Sequence, residues 1–492
     1  MRDLFLGLDL GTSGCKLIAF DRDGQAVARA ARSYRQAIKD EIFHTLDLEA
    51  VWANAVACFQ ELDAEQLDGR VRTLSISALG EAFVLVDEAG RPLHPAPVST
   101  DMRGLDAMAA LNARIGAERL ARITGHPPSP IHSIYKLMWM KEHAPDLLRK
   151  GKQCLCFHGY ALTQLGLPAA IDRSLATRLM LLDVETDRWS PELLDEAGLR
   201  EDQLPPVVQS GERLGPIPGD VAQDLRLPPG VLVVAGAHDQ PMGALGAGVI
   251  APGAAMYAIG TTECLVVPLG RCDTELALRN FPVYAHAAPG LYITLIGSQS
   301  GGRVLAWLHD IMGRESQDIG ALLAEAAPIR ETSPLLLAHF SGSGTVLNDA
   351  ASRGAVHGLG LETTRGDLVA SFLEGITLEQ AISLDHLIET TGPLREIRAI
   401  GGGARSDDWL QMKADILGCP VTRMATGDAP CLAGAMLGRA AIDEATDIAP
   451  VVEAMVHSDR QFTPRPDMHE RHTSRKATYE RLYGALRPFN PS

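Results

Sequence analysis

Two carboxylates and three glycine turns are the residues of this chain whose types and spacing could do chemistry. The segment Asp9-Leu10-Gly11-Thr12-Ser13-Gly14 closes an apolar run with a turn of open backbone N–H groups. A phosphate can approach such a turn closely, because glycine keeps side chains out of its path. Thr12 and Ser13 add hydroxyl donors, and Lys16 adds a positive charge. Asp9, at the strand end, could hold Mg²⁺ through water, since that ion takes few carboxylates and keeps much of its hydration. A plain hairpin turn without a ligand is the other reading of the same residues. Gly260-Thr261-Thr262 repeats the pattern, and two facing turns can clamp the phosphates of one nucleotide. At Gly401-Gly402-Gly403-Ala404-Arg405-Ser406 a base and ribose can lie against backbone, or a strand simply gives way to a helix. Asp239, flanked by His238 and Gln240 beyond an apolar strand, can accept a proton from an attacking hydroxyl. An aspartate before an Ala/Leu-rich stretch is equally a helix N-cap.

The elements that must position these residues follow from hydrophobic periodicity. Leu4–Leu10, Leu17–Phe20 and Ala26–Ala31, separated by turn signals at Gly11 and at Asp23-Gly24, predict an antiparallel meander. Leu48, Val51, Trp52, Ala55, Val56, Phe59 and Leu62 fall on one face of a helix. Val231–Val234 predicts a buried strand leading to Asp239, while Met256–Ile259 and Cys264–Val267 flank the second turn. Recurrence of strand–Gly-Thr–strand points to a duplicated domain, with the boundary near Gly248, giving residues 1–248 and 249–492. Ser474–Ser492, with Tyr479, Leu482, Tyr483 and Leu486 at helical spacing, predicts a terminal helix.

At roughly 100–200 residues per domain, this length allows two or three domains. The 492 residues are 46% hydrophobic and 22% charged, which excludes wholesale disorder. Lys and Arg number 45 against 61 Asp and Glu, a net charge of −16, which argues against a nucleic acid held by bulk attraction. It leaves open a single nucleotide gripped by local groups. No apolar run reaches the roughly 18 residues a membrane span needs. The N-terminus meets Asp9 before a secretory apolar core can form. Cys154, Cys156 and His158 lack a nearby fourth zinc ligand, so the scattered cysteines, Cys15 and Cys264 included, are expected as buried thiols in a reducing cytoplasm.

Taken in order, Gly7-Leu8-Asp9-Leu10-Gly11-Thr12-Ser13-Gly14, Ala235-Gly236-Ala237-His238-Asp239-Gln240 and Gly260-Thr261-Thr262 open a specific series. It continues with Gly354–Leu359, Leu373-Glu374-Gly375 and Gly401–Ser406. The series resembles the FGGY carbohydrate kinases, within the superfamily of actin, hexokinase and the heat-shock-chaperone ATPases. The resemblance implies an α/β fold of two duplicated ribonuclease-H-like (actin/hexokinase-type) domains with a cleft between them. It implies ATP and Mg²⁺, with Asp239 as the base and Gln240 on a substrate hydroxyl. Gly11, Thr12, Ser13 and Lys16 would handle the β- and γ-phosphates, with Gly260 and Thr261 doing so from the second domain. Gly302, Gly402, Gly403 and Ser406 fall at nucleotide-contacting positions, and Asp9 at that of the carboxylate organising magnesium.

The substrate segment departs from the best-known subfamilies. Where xylulose kinases carry Gln-Met-His and glycerol kinases Gln-Arg-Glu, this chain has Leu79-Gly80-Glu81. Glu81 is expected to accept sugar hydroxyls, or else to be a solvated carboxylate, and Gly80 to leave room for a larger or differently branched sugar. Ser99-Thr100-Asp101-Met102-Arg103 matches the family's Trp-x-Asp-x-Arg stretch without its tryptophan, so Asp101 either joins the sugar pocket or pairs with Arg103. His132, near Lys136, is either a pocket residue or a packed one. Phe340–Thr345 replaces the Ser-Gly-Glu-Arg-x-Pro of many xylulose kinases, and a fuculose-kinase-like subgroup is closer in wording. The expected activity is phosphorylation of an open-chain ketose such as xylulose or fuculose. The alternatives are a polyol kinase, an actin-type ATPase without sugar kinase activity and a sugar-binding regulator without catalysis. The expected partner is a small sugar, with no nucleic acid or membrane, in a possible homodimer.

Overall fold

The run Leu4–Leu10 is apolar on both faces, as a strand covered on both sides must be. In the computed structural model of the protein, which describes residues 2–40, 42–62, 69–298, 300–312 and 319–490, this run forms β1 (Arg2–Leu10). Leu4, Phe5, Leu6 and Leu8 are all buried within it. β2 (Gly14–Phe20) and β3 (Ala26–Ser33) follow antiparallel, the expected meander. Helix α1 (Leu48–Glu61) starts where the Asp47 carboxylate accepts the Ala50 N–H, and it buries Leu48, Val51, Ala55, Cys58 and Phe59. Its apolar face covers β2 and β3. β4 (Gly69–Ala78) returns parallel to β1, so the central strands finish at one edge. Helices inserted before the next strand, among them Ser133–His143 and Arg173–Arg178, wall that edge. β5 (Arg213–Pro216) and β6 (Leu232–Val234) complete a sheet of order β5-β6-β4-β1-β2-β3, with β6 parallel to β4. Helix α2 (Asp239–Gly246) leaves from the far end of β6.

The second lobe repeats the plan. β7 (Ala254–Ile259) and β8 (Glu263–Leu269) form the hairpin, and β9 (Val283–Ala285) and β10 (Tyr292–Ser298) extend it on one side. After α3 (Gly302–Ile311) and the long α4 (Arg365–Thr391), β11 (Glu396–Ile400) lies parallel to β7 as β4 does to β1. Helix α5 (Asp407–Leu417), β12 (Val421–Met424), helix α6 (Ala429–Asp443) and β13 (Ser458–Phe462) complete the order β9-β10-β8-β7-β11-β12-β13. Two sheet-containing α/β lobes of one design thus face each other, each a hairpin with a parallel neighbour.

Helix α6 belongs to the second half of the chain but lies on the first sheet, against β1 and β4. Its backbone comes so close that a Cβ on Gly7 would sit 1.9 Å from the Cys431 carbonyl oxygen, which only glycine permits. The terminal helix α7 (Pro466–Leu486) carries Tyr479, Leu482, Tyr483 and Leu486, with Tyr479 fully buried; Pro491 and Ser492 of the predicted segment lie outside the described residues. Among the described residues no helix is long and apolar enough to cross a membrane.

Candidate active site

Three strand ends of the first sheet are laced together by backbone bonds. The Leu79 N–H donates to the Leu10 carbonyl (2.9 Å), and the Ala78 N–H to that of Ala237 (3.1 Å). Side chains from β1, β4 and the β6–α2 junction therefore meet at the carboxyl edge of parallel strands, where open α/β sheets hold ligands. Asp9 stands here with Ser77 beside it in register, and the Ser77 hydroxyl donates to Asp9 Oδ1 at 2.8 Å. Burial pushes the Asp9 carboxyl up to about 6, and the charge of Asp239 adds to the rise against the pull of Ser77 and Lys16. The two sequence-predicted carboxylates thus share one field. Asp9 is the residue that would hold a divalent cation here, since such an ion in a phosphate site needs only one or two carboxylates. Among the described residues no group of three or more His, Cys, Asp and Glu side chains forms a dedicated metal cage.

Asp239 sits in the first turn of α2, and its predecessor His238 is the N-cap residue, so Asp239 is not spent as the cap. Its side chain is 31% exposed, with His238 Nε2 at 3.0 Å from Oδ1. That imidazole is out of line, so Oδ1 is buried without an aligned donor, and Gln240 Oε1 is likewise buried and unpaired. Buried acceptors without partners are costly, and ligand hydroxyls can satisfy them.

The neighbouring wall is more tightly built than the sequence implied. Glu81 is neither solvated nor free: it adopts a left-handed backbone (φ 58°), is buried, and forms an ion pair with Arg178 Nη2. Gly80 does not open space for a bulkier sugar, because His238 fills it; a Cβ there would lie 2.8 Å from His238 Nε2 and 3.4 Å from Arg178 Cγ. Asp101 is fully buried and gripped by Arg103 at 2.8 Å through both oxygens, with the His44 N–H at 2.9 Å, the structural pairing rather than a free pocket acid. His132 packs its ring 4.8 Å from that of His126, and burial drives it down to about 3. Lys136 beside it is buried, donating to the Val98 and Ile131 carbonyls (2.7 Å each), with burial lowering it to about 7. Sequence reasoning missed Arg178, His126 and Tyr284. Tyr284 comes from β9 of the second lobe, under the Arg178 guanidinium (5.4 Å to the ring), with its hydroxyl 3.4 Å from His238 Nδ1. No local pattern marks a residue whose partners lie on another lobe.

At the first turn the Gly11 N–H closes on the Gly14 carbonyl (3.0 Å), and Tyr34 donates its hydroxyl to the Gly11 carbonyl (2.7 Å). Ser13 is exposed and Thr12 partly so. Lys16 reaches across to Asp428 of the second lobe (2.9 Å), which Arg29 also approaches (3.3 Å). At the second turn the Gly302 and Arg303 N–H groups donate to the Gly260 and Thr261 carbonyls (2.9 and 3.0 Å), so the Gly302 amide is used within the protein. The third turn splits by residue. Gly402 is open, whereas a Cβ on Gly403 would lie 2.2 Å from Ile259 Cγ2, and Ser406 caps α5 by accepting the Trp409 N–H. A cavity of about 950 Å³ opens between the lobes, lined by Lys16, Arg29, Gly401, Gly402, Arg405 and Asp428 among others. Among the described residues its wall includes none of Thr12, Ser13, Gly260, Thr261, Gly302, Gly403 or Ser406.

Residues 4–246 match the FGGY family of carbohydrate kinases, N-terminal domain, and residues 255–442 match the C-terminal domain of the same family. The chain is 28% identical over 490 residues to a xylulose kinase of Escherichia coli strain K12, covering 99% of both chains. It is 28% identical over 480 residues to an L-fuculokinase of Salmonella typhi, covering 95% of this chain and 98% of that one. A gluconate kinase structure from Lactobacillus acidophilus superposes with a TM-score of 0.90 over 99% of this chain and 98% of its own, at 21% identity, a likeness of fold alone.

Proposed function

The chain belongs to the FGGY family of carbohydrate kinases, and on that premise we propose that it phosphorylates a hydroxyl of an open-chain ketose, with Asp239 as the base. The observation carrying this reading is the Asp239 carboxylate, 31% exposed, standing between the buried and unpartnered Gln240 Oε1 and Asp9 at the strand-end edge. A sugar hydroxyl donates to the Asp239 carboxylate while a second donates to Gln240. As the hydroxyl oxygen attacks the γ-phosphorus of ATP in line, its proton passes to Asp239 and the bond to the ADP oxygen breaks. The transition state of such transfers is loose, so positioning and charge stabilisation carry most of the acceleration.

Residues 1–248, and residues 249–492 apart from helix α6 on the first sheet, act as two lobes that close on the nucleotide. Closure brings Thr12 and Ser13 onto the phosphates from one side and Thr261 from the other, while Gly402 and Arg405 face the adenosine. Lys16 exchanges Asp428 for phosphate oxygen. Asp9 is the residue that would hold Mg²⁺, and the ion would supply charge neutralisation to the phosphates. Closure also excludes water, which would otherwise accept the phosphoryl group.

Xylulose and fuculose head the substrate list, because relatives bearing those names align over nearly the whole chain. ADP release measured against a panel of pentuloses, hexuloses, glycerol, erythritol and gluconate tests the proposal. A ketose should give the highest kcat/KM. A polyol giving the highest value, or equal hydrolysis without any sugar, would contradict it.

A further inference from the structure

We infer that His238 is a positioning residue for the base, held in one tautomer by Tyr284 and given its place by Gly80; the inference rests on Asp239 being that base. The imidazole lies between two oxygens of known chemistry. Nε2 is 3.0 Å from Asp239 Oδ1, and Nδ1 is 3.4 Å from the Tyr284 hydroxyl. A phenol can donate where a carboxylate can only accept. The arrangement therefore assigns Nδ1 as acceptor from Tyr284 and Nε2–H as donor to Asp239. Because Oδ1 is buried although the side chain is 31% exposed, its proton-accepting face toward the cleft is the other oxygen, Oδ2.

The surroundings hold this residue in place. The His238 N–H donates to the Ser174 hydroxyl (2.9 Å), which donates to Asp172 (2.9 Å), anchoring the backbone. Any side chain at position 80 would collide with the ring at 2.8–2.9 Å, which explains the departure from the bulkier residue of related subfamilies. The ionisable groups facing the imidazole are Asp239, Arg178 with its partner Glu81, His126 and Tyr284. In this structure the Nε2–H is close to Oδ1 but not aligned, as catalytic hydrogen bonds commonly are before substrate tightens them. Tyr284 comes from the second lobe, so the orientation of the base rests on a contact between the lobes.

The test combines kinetics with a readout independent of turnover. Selective ¹⁵N-histidine labelling should show His238 protonated at Nε2, and Tyr284→Phe should mix the tautomers. Kinetics use whichever of xylulose and fuculose is turned over faster. His238→Ala should lower kcat by about tenfold to a hundredfold, the scale for a misplaced reacting group, with KM for ATP unchanged. His238→Gln, whose amide N–H reaches the same place, should recover most of the loss, and Gly80→Ala should mimic His238→Ala. An Nδ1–H tautomer, a wild-type kcat in His238→Ala, or equal losses in the Ala and Gln variants would overturn the inference. Turnover surviving in Asp239→Asn would instead remove the base reading, a failure the tautomer measurement keeps separate.

Discussion

The two glycine-threonine turns share a sequence plan and differ in what stands behind them. The first is flanked by a charge that solvent can reach: Lys16 is 50% exposed, and Ser13 beside it is exposed. The second is braced from beneath. Glu263, the residue leaving that turn, is fully buried and accepts from Lys413 at both oxygens (2.9 and 2.8 Å) and from the Tyr257 hydroxyl. Lys413 also donates to Tyr257 and Thr377 and lies over the rings of Tyr257 and Trp409. Further back, Glu379 accepts from the Ser298 hydroxyl and from the Gly344 N–H (2.6 Å), and burial pushes it up to about 7. One turn thus has an exposed cation beside it and the other a buried ion pair beneath it. On the proposed reading, the side chains around the two turns would divide the labour between charge neutralisation and preorganisation.

That contrast can be broken at either end. Removing the brace should have the largest effect on stability: Lys413→Ala leaves a buried carboxylate unpaired and should cost about 3–5 kcal/mol in denaturant unfolding. The double variant with Glu263→Gln should recover part of the loss, and additive losses would show that the two residues do not act as a pair. At the open turn the effect should be kinetic. Lys16→Ala should reduce kcat/KM for ATP by roughly 10–100-fold, the worth of one charge-assisted hydrogen bond to phosphate, with an unchanged melting temperature. A fall in melting temperature with unaltered ATP kinetics would reverse the roles assigned to the two turns.

A smaller effect concerns pH. The folded Glu379 carboxyl is raised from 4.5 to about 7, so the folded state holds a proton there that the unfolded chain releases. This stabilisation is present in full below pH 4.5 and fades as pH rises through 7. Glu379→Gln should flatten the decline of melting temperature across that window, and an unchanged slope would contradict the shift. The smallest effect is expected of Ser13→Ala at the exposed turn, a rise in KM for ATP equivalent to about 0.5–1.5 kcal/mol.

The hairpins, helix α1 and the placement of Asp9 and Asp239 were legible because each depends on residues near in sequence. Alternation and turn chemistry fix a hairpin locally, and a carboxylate at a strand end follows from the strand. The sugar wall was not legible in the same way. Gly80 looks like empty space until His238 is brought beside it, and Glu81 looks like a hydroxyl acceptor until Arg178 is placed against it. Gly403 and Ser406 share a motif with Gly402, yet one presses on Ile259 and the other caps a helix. Lys16 and Asp428 meet only because α6 crosses onto the first sheet. Pairings across lobes are set by the path of the whole chain, which no short window of residues contains.

The central claim is that both turns grip one triphosphate while Asp239 prepares an alcohol on the opposite side. A crystal structure with a non-hydrolysable ATP analogue and the preferred ketose tests it most directly. The account predicts closed lobes, with Thr12 and Thr261 on the same phosphate chain and a sugar hydroxyl about 3 Å from Asp239 and aligned with the γ-phosphorus. Closed lobes with Asp239 out of reach of every sugar hydroxyl would contradict it.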